Sequence, residues 1–226
     1  MEHTYKPFDT DIDSLRTSVT LMGGLVERQI VRAVDAVRGA DLGLVAQVLA
    51  DESRVNELHL QTDLRCNQVI AKRQPIAVDL REIIAVLHIN NDLERIGDEA
   101  KKIALKAKDL GSSSLPLDVN RIASMAANVC AMLKAAIDAF IAHDTSVAAK
   151  LEARDDDVDE MRDELITDLI KCMSSDPVCV SHALLLTFIV QSIERVGDHA
   201  KNIAEYVVTV VEGVAPRHQS IASPPY

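Results

Sequence analysis

The chain has 226 residues, 48% hydrophobic but only 3% aromatic and without Trp, so its apolar mass is Ala, Val, Leu and Ile. That length allows one large or two small domains, and the composition suits helical bundles. A net charge of −11 argues against a general nucleic-acid binder, which needs clustered Lys and Arg against phosphate.

Residues 1–10 read as an irregular lead. A first helix is predicted to start near Asp11–Ser14, with Ser14 or Asp13 as cap. It carries Leu15, Val19, Met22, Val26, Ile30, Val34 and Val37 at spacings of three and four. Gly39 to Gly43 end it. A second helix, about Leu44 to Ala71, stops before Pro75, which lacks the amide a helix interior needs. A third starts near Ile76. Gly111-Ser112-Ser113-Ser114-Leu115-Pro116 is the clearest boundary. The pattern then restarts, with helices at about Leu117 to Ala142, Ser146 to Met173 and Val178 to Glu212. His143-Asp144-Thr145 and Ser174-Ser175-Asp176-Pro177 separate them. Pro75 and Pro177 fall at equivalent places, which predicts an all-α fold of two tandem three-helix bundles related by duplication. The first repeat is expected to cover residues 1–110, the second 117–213, and a disordered tail 214–226.

The third and sixth helices share one motif. Glu94-Arg95-Ile96-Gly97-Asp98-Glu99-Ala100-Lys101-Lys102-Ile103-Ala104 returns as Glu194-Arg195-Val196-Gly197-Asp198-His199-Ala200-Lys201-Asn202-Ile203-Ala204, identical at eight of eleven positions. Both copies lie on the same apolar seam, Val86, Ile89, Leu93, Ile96, Ala100, Ile103, Ala107 and Leu110, repeated from Leu186 to Val210. Glu94 and Asp98 stack one turn apart, off that seam, and Lys102 or Asn202 continues the row. A lone ExxxD is common on solvated helix faces. Inside a duplicated motif it is more specific, because a cation across the row reverses the mutual repulsion of the carboxylates.

The middle helix of each half carries a matching acidic cluster. Glu52 and Asn56 lie one turn apart in the first, Asp155 and Asp159 in the second. If those helices neighbour the ExxxD helices, oxygen rows face each other across a groove. All-oxygen sets favour Mg²⁺, Mn²⁺ or Ca²⁺, and accept iron. A plain acidic helix start is the alternative for Asp155–Asp157. His88, His182 and His199 read as packing or surface residues, with His199, beside Asp198, the best exception. Arg95 and Arg195 read as salt-bridging to a neighbouring helix, with binding of a phosphate or an acidic partner the sharper alternative. ExxH, HExxH, GxxxxGK[ST] and GxSxG are all absent. Cys66, Cys130, Cys172 and Cys179 make no CxxC pair or zinc spacing, and read as thiols of a reducing compartment. Met1-Glu2-His3-Thr4-Tyr5 lacks the features of a signal peptide, and the most apolar run, Ala183 to Val190, is too short to cross a bilayer. A soluble cytoplasmic protein is expected.

The runs Leu93–Asp98 and Ile193–Asp198, with Met22-Gly23-Gly24-Leu25-Val26-Glu27 and Lys72-Arg73-Gln74-Pro75-Ile76-Ala77-Val78-Asp79-Leu80-Arg81, resemble the PhoU family from about Asp11 to Glu212. Lys102 and Glu52 stand where that family usually has Asn and Asp. The resemblance implies paired three-helix bundles with metal on ExxxD rows: Glu94 and Asp98; Glu194, Asp198 and Asn202; and Glu52, Asp155 and Asp159. The expected cofactor is a divalent or ferric ion, among iron, manganese, magnesium and zinc. The resemblance also implies a negative regulator of phosphate uptake and of the phosphate-starvation response. Its partners would be the ATPase of a phosphate ABC transporter and a sensor histidine kinase. Membrane association would be peripheral, through those partners, and a homodimer is expected. The rival reading is a metal-dependent phosphatase, since clustered carboxylates holding two metals also serve phosphate-ester hydrolysis. A third is a structural bundle whose acidic rows only keep it soluble.

Overall fold

Apolar residues recurring at threes and fours give each predicted segment one face to bury, and each becomes a helix. The computed structural model describes residues 6–111 and 117–213. Its elements are α1 (Lys6–Gly39), α2 (Leu42–Arg73), α3 (Ala77–Leu110), α4 (Val119–Ala142), α5 (Ser146–Ser175), a 3₁₀ turn (Pro177–Cys179) and α6 (Val180–Glu212). No strand occurs among the described residues. The fold is the expected all-α pair of three-helix units. Residues 1–5, the Ser112–Pro116 boundary and the tail from Val214 lie outside the described residues.

Local chemistry sets the ends. Asp41 accepts the amides of Gly43 and Leu44 at 2.7 and 3.3 Å and starts α2. Asp118 accepts the Asn120 amide at 3.0 Å and starts α4. Gln74, in the left-handed region at φ 51°, ends α2 just before Pro75. The start of α1 differs from expectation. Phe8 and Ile12 are buried and carry the Leu15 seam back toward the N-terminus, so the helix begins at Lys6. Asp13 and Ser14 therefore lie inside it and cap nothing; their carbonyls accept the hydroxyls of Thr17 and Ser18.

Helices α1 to α3 pack on one another, as do α4 to α6, and the halves meet where α3 lies on α6 and α1 on α4. All sixteen seam positions of α3 and α6 are buried, each Leu, Ile or Val contributing roughly 1.5–3 kcal/mol. Gly23 allows the close approach of α4, because a Cβ there would overlap Ile137. The α3–α6 contact is antiparallel, since partners on α6 fall in number as those on α3 rise. The Arg81 Nε donates to the Val210 carbonyl at 3.1 Å, Asp92 meets His199, and the Lys106 ammonium sits 5.5 Å above the Phe188 ring. By length and composition alone α4 and the 3₁₀–α6 segment could span a bilayer; both also contribute buried residues to the core.

The cysteines divide. Cys66 and Cys130 are buried thiols. Cys172 and Cys179 are joined as a disulfide across the α5–α6 turn, so the reading of four thiols applies to only two.

Candidate metal-binding site

The first cluster forms where α2 lies against α3. Gly97 opens the space: a Cβ there would stand 3.0 Å from Glu52 Oε2 and 3.3 Å from both Gln29 Oε1 and Val55 Cγ1. Glu52 reaches into that space and is only 4% exposed. Gln29 Nε2 donates to its Oε2 at 3.4 Å and Asn56 Nδ2 to its Oε1 at 3.3 Å. The Lys101 ammonium stands between the helices, 3.6 Å from Asp98 Oδ1 and 3.8 Å from Glu52 Oε1. Burial raises the Glu52 pKa, and Asp98 pushes the same way; Gln29 and Lys101 oppose the shift. Glu94 lies half-buried one turn before Asp98. Gln29 Oε1, wholly buried, has no hydrogen-bond partner.

The second cluster repeats this on α5 and α6. Asp155, 6% exposed, takes the place of Glu52. Lys201 takes the place of Lys101, bonding Asp155 and lying 3.8 Å from Asp198 Oδ1. One added cation has no counterpart. Arg162 Nη1 donates to Asp159 Oδ1 at 2.6 Å and to Glu194 Oε1 at 2.9 Å, while its Nε donates to Asp163 at 3.0 Å. Burial raises the Glu194 pKa, Asp198 and Asp159 add to it, and Arg162 offsets part of it. Asn202 lies half-buried one turn past Asp198.

The sequence rows are therefore brought together pairwise: Glu52 with Asp98, Asp155 with Asp198, Asp159 with Glu194. Among the described residues no three carboxylate, imidazole or thiolate groups converge to enclose a metal ion. The donor chemistry nevertheless fits a hard cation. The side-chain atoms that meet there are oxygens, burial and then a neighbouring carboxylate raise Glu52 and Glu194, and the unpartnered Gln29 oxygen supplies one more donor. Lys101, Lys201 and Arg162 now provide the positive charge there.

Lys102, which continues the row one turn past Asp98, turns away from it. It bonds Glu99 at 2.8 Å, on the side facing α6, where Arg195 also approaches Glu99 at 3.7 Å. His199 does not join Asp198 as a ligand either; its Nδ1 lies 2.8 Å from Asp92 Oδ1 in the α3–α6 contact. His88 is exposed and stacks on Tyr206, ring centroids 5.0 Å apart. Sequence reasoning missed Gln29, Lys101, Arg162 and Lys201. The two lysines carried a signal, standing at the same place in both copies, three residues after each aspartate, on the side where the middle helix packs.

Fold and site together define a duplicated all-α bundle protein with one lysine-closed carboxylate cluster per half. The PhoU domain model matches residues 19–107 and 122–207, one match in each half. The chain belongs to the PhoU family. It is 36% identical over 217 residues to the phosphate-specific transport system accessory protein PhoU homolog of Pseudomonas aeruginosa, covering 96% of this chain and 90% of that one. It is 35% identical to the phosphate-specific transport system accessory protein PhoU of Edwardsiella tarda, covering 96% and 89%. The crystal structure of PhoU from Pseudomonas aeruginosa superposes with a TM-score of 0.87 at 36% identity, over 92% of this chain and all 100% of that one. PhoU from Streptococcus pneumoniae, at 24% identity, shares the fold with a TM-score of 0.85, over 92% and 98%.

Proposed function

We propose that this chain is a non-enzymatic regulatory accessory protein of a phosphate transport system. The observation that carries the reading is the near full-length match, in both halves, to relatives that bear that name. It acts in the cytoplasm as a negative regulator of phosphate uptake and of the phosphate-starvation response. It couples the ATPase of a phosphate ABC transporter to a sensor histidine kinase and reaches the membrane through them, as a homodimer.

The two carboxylate clusters bind a hard divalent or ferric cation in this reading. Glu52, Glu94 and Asp98 hold it in the first half; Asp155, Asp159, Glu194, Asp198 and Asn202 hold it in the second. A bound cation competes with Lys101, Lys201 and Arg162 for the same oxygens, so occupancy shifts the charge balance at the α2–α3 and α5–α6 contacts.

The test is a clean deletion with complementation. Phosphate-starvation reporters should become constitutive in phosphate-replete medium, and the wild-type chain should restore repression. Normal repression after deletion of every copy would sink the regulatory reading. Phosphomonoester turnover by the purified, Mn²⁺-loaded protein would favour the hydrolase instead.

A further inference from the structure

We infer that Cys172 and Cys179 form a reversible thiol–disulfide site that reacts with low-molecular-weight disulfides, Cys179 attacking and Cys172 resolving. The inference is independent of the phosphate reading. The two Cα atoms lie 6.7 Å apart across a turn, within the 4.4–6.8 Å span that disulfides adopt. Both residues are half-buried, as is Met173, and the other five residues between them, Ser174 to Val178, are all exposed. A small thiol reaches them from solvent. The other cysteines offer a contrast within the same chain. Cys66 is fully buried and Cys130 is 7% exposed, and burial pushes each thiol up to about 12. Neither gives a thiolate at neutral pH.

The helix ends separate the roles of the reactive pair. Cys179 stands where the 3₁₀ turn runs into the first turn of α6, at the positive end of the helix dipole, which favours a thiolate. Cys172 lies in the last turn of α5, at the negative end. The Cys179 thiolate attacks one sulfur of the disulfide RSSR, forming a mixed disulfide and expelling RS⁻. The Cys172 thiolate then attacks the Cys179 sulfur and expels the second RS⁻. Two protein thiols are oxidised and one RSSR is reduced to two RSH. Counted from the paired prolines, the first half has Ile70 and Ala77 at these places. Oxidation therefore clamps α5 to α6 in the second half alone.

The experiment starts from full-length protein, reduced and freed of reductant, then exposed to glutathione disulfide at neutral pH. Intact mass should fall by two hydrogens, with peptide mapping linking Cys172 to Cys179 and leaving Cys66 and Cys130 alkylatable. Cys172→Ser should trap glutathione on Cys179. Cys179→Ser should trap it on Cys172 roughly threefold more slowly or worse. Reduction of the wild-type disulfide should lower Tm by about 5 °C, from the loop-closure entropy of so short a loop. Persistent alkylation of both Cys172 and Cys179 would overturn the site. Faster trapping in Cys179→Ser would overturn the order of attack, and an unchanged Tm would overturn the clamp.

Discussion

Arg162 donates to Glu194 at 2.9 Å across the α5–α6 contact. The same nitrogen holds Asp159, so one guanidinium offsets two carboxylates that otherwise repel. Arg162→Leu is expected to lower stability at neutral pH by roughly 1–2 kcal/mol, as charged hydrogen bonds are lost. It should also strengthen Mn²⁺ binding about tenfold or more, because a competing cation is gone from close range. Isothermal titration with Mn²⁺ checks this; unchanged or weaker binding would count against a metal role for these carboxylates.

Glu52 makes stability depend on pH in an uncommon direction. Burial raises its folded pKa above the ordinary 4.5. Between 4.5 and that raised value the folded chain holds a proton that the unfolded chain has lost. The contribution is fully present below 4.5 and fades as pH rises through the folded value. Glu52→Gln, neutral at every pH, should raise stability near pH 7 by roughly 1 kcal/mol. The gain should shrink on acidification. Urea titrations of both proteins across that range measure the difference, and a gain that grows toward acid would contradict the burial argument.

The paired glycines separate the two contacts. A Cβ at Gly97 meets Glu52 Oε2 at 3.0 Å, whereas one at Gly197 meets Asp155 Oδ1 and Val129 Cγ1 at an ordinary 3.4 Å. Gly97→Ala should therefore lose roughly 1–2 kcal/mol to displacement of a buried carboxylate. Gly197→Ala should be neutral, or gain up to about 1 kcal/mol from helix propensity. Equal effects in thermal unfolding would show that α2 sits no closer to its partner than α5 does.

Asp92 anchors the join between halves. Asp92→Ala leaves the His199 Nδ1 without its acceptor in a poorly exposed place, at an expected cost of roughly 1.5–3 kcal/mol. Asp92→Asn, which keeps an acceptor oxygen, should cost less. Chemical denaturation orders the two variants, and an Ala variant as stable as wild type would make the pair incidental.

Much of this was legible beforehand because a helix repeats its buried face every three or four residues. Pro75, Pro177 and Gly111 mark ends by local chemistry alone, whereas the caps at Asp41 and Asp118 start α2 two residues before and α4 two residues after the places that spacing suggests. The start of α1 was misread because Phe8 and Ile12 extend a seam that looked finished at Leu15. The carboxylates of the candidate site were visible as a duplicated pattern. Their counter-charges were not, because a helix row does not say which neighbour turns a cation toward it. Lys102 has the better spacing to Asp98, yet it is drawn to Glu99 on the other side. Arg162 left no trace in the repeat, its counterpart after the paired middle-helix valines being His59, which contacts Asp63 and the Asn90 carbonyl instead. The Cys172–Cys179 pairing joins residues either side of a break that the sequence already marked.

The antiparallel α3–α6 contact settles which half recognises which. The two helices are near copies, so each could in principle dock on its own likeness from a second chain. In the repeat, Asp92 corresponds to Ser192 and Glu99 to His199. A first half laid on another first half would set Asp92 opposite Glu99, bringing two buried carboxylates together in place of the carboxylate–imidazole pair. A second half on another second half would set Ser192 opposite His199, without a carboxylate for the imidazole. Only unlike halves bring Asp92 to His199. After duplication, four divergent side chains suffice to turn a self-associating module into two that choose each other.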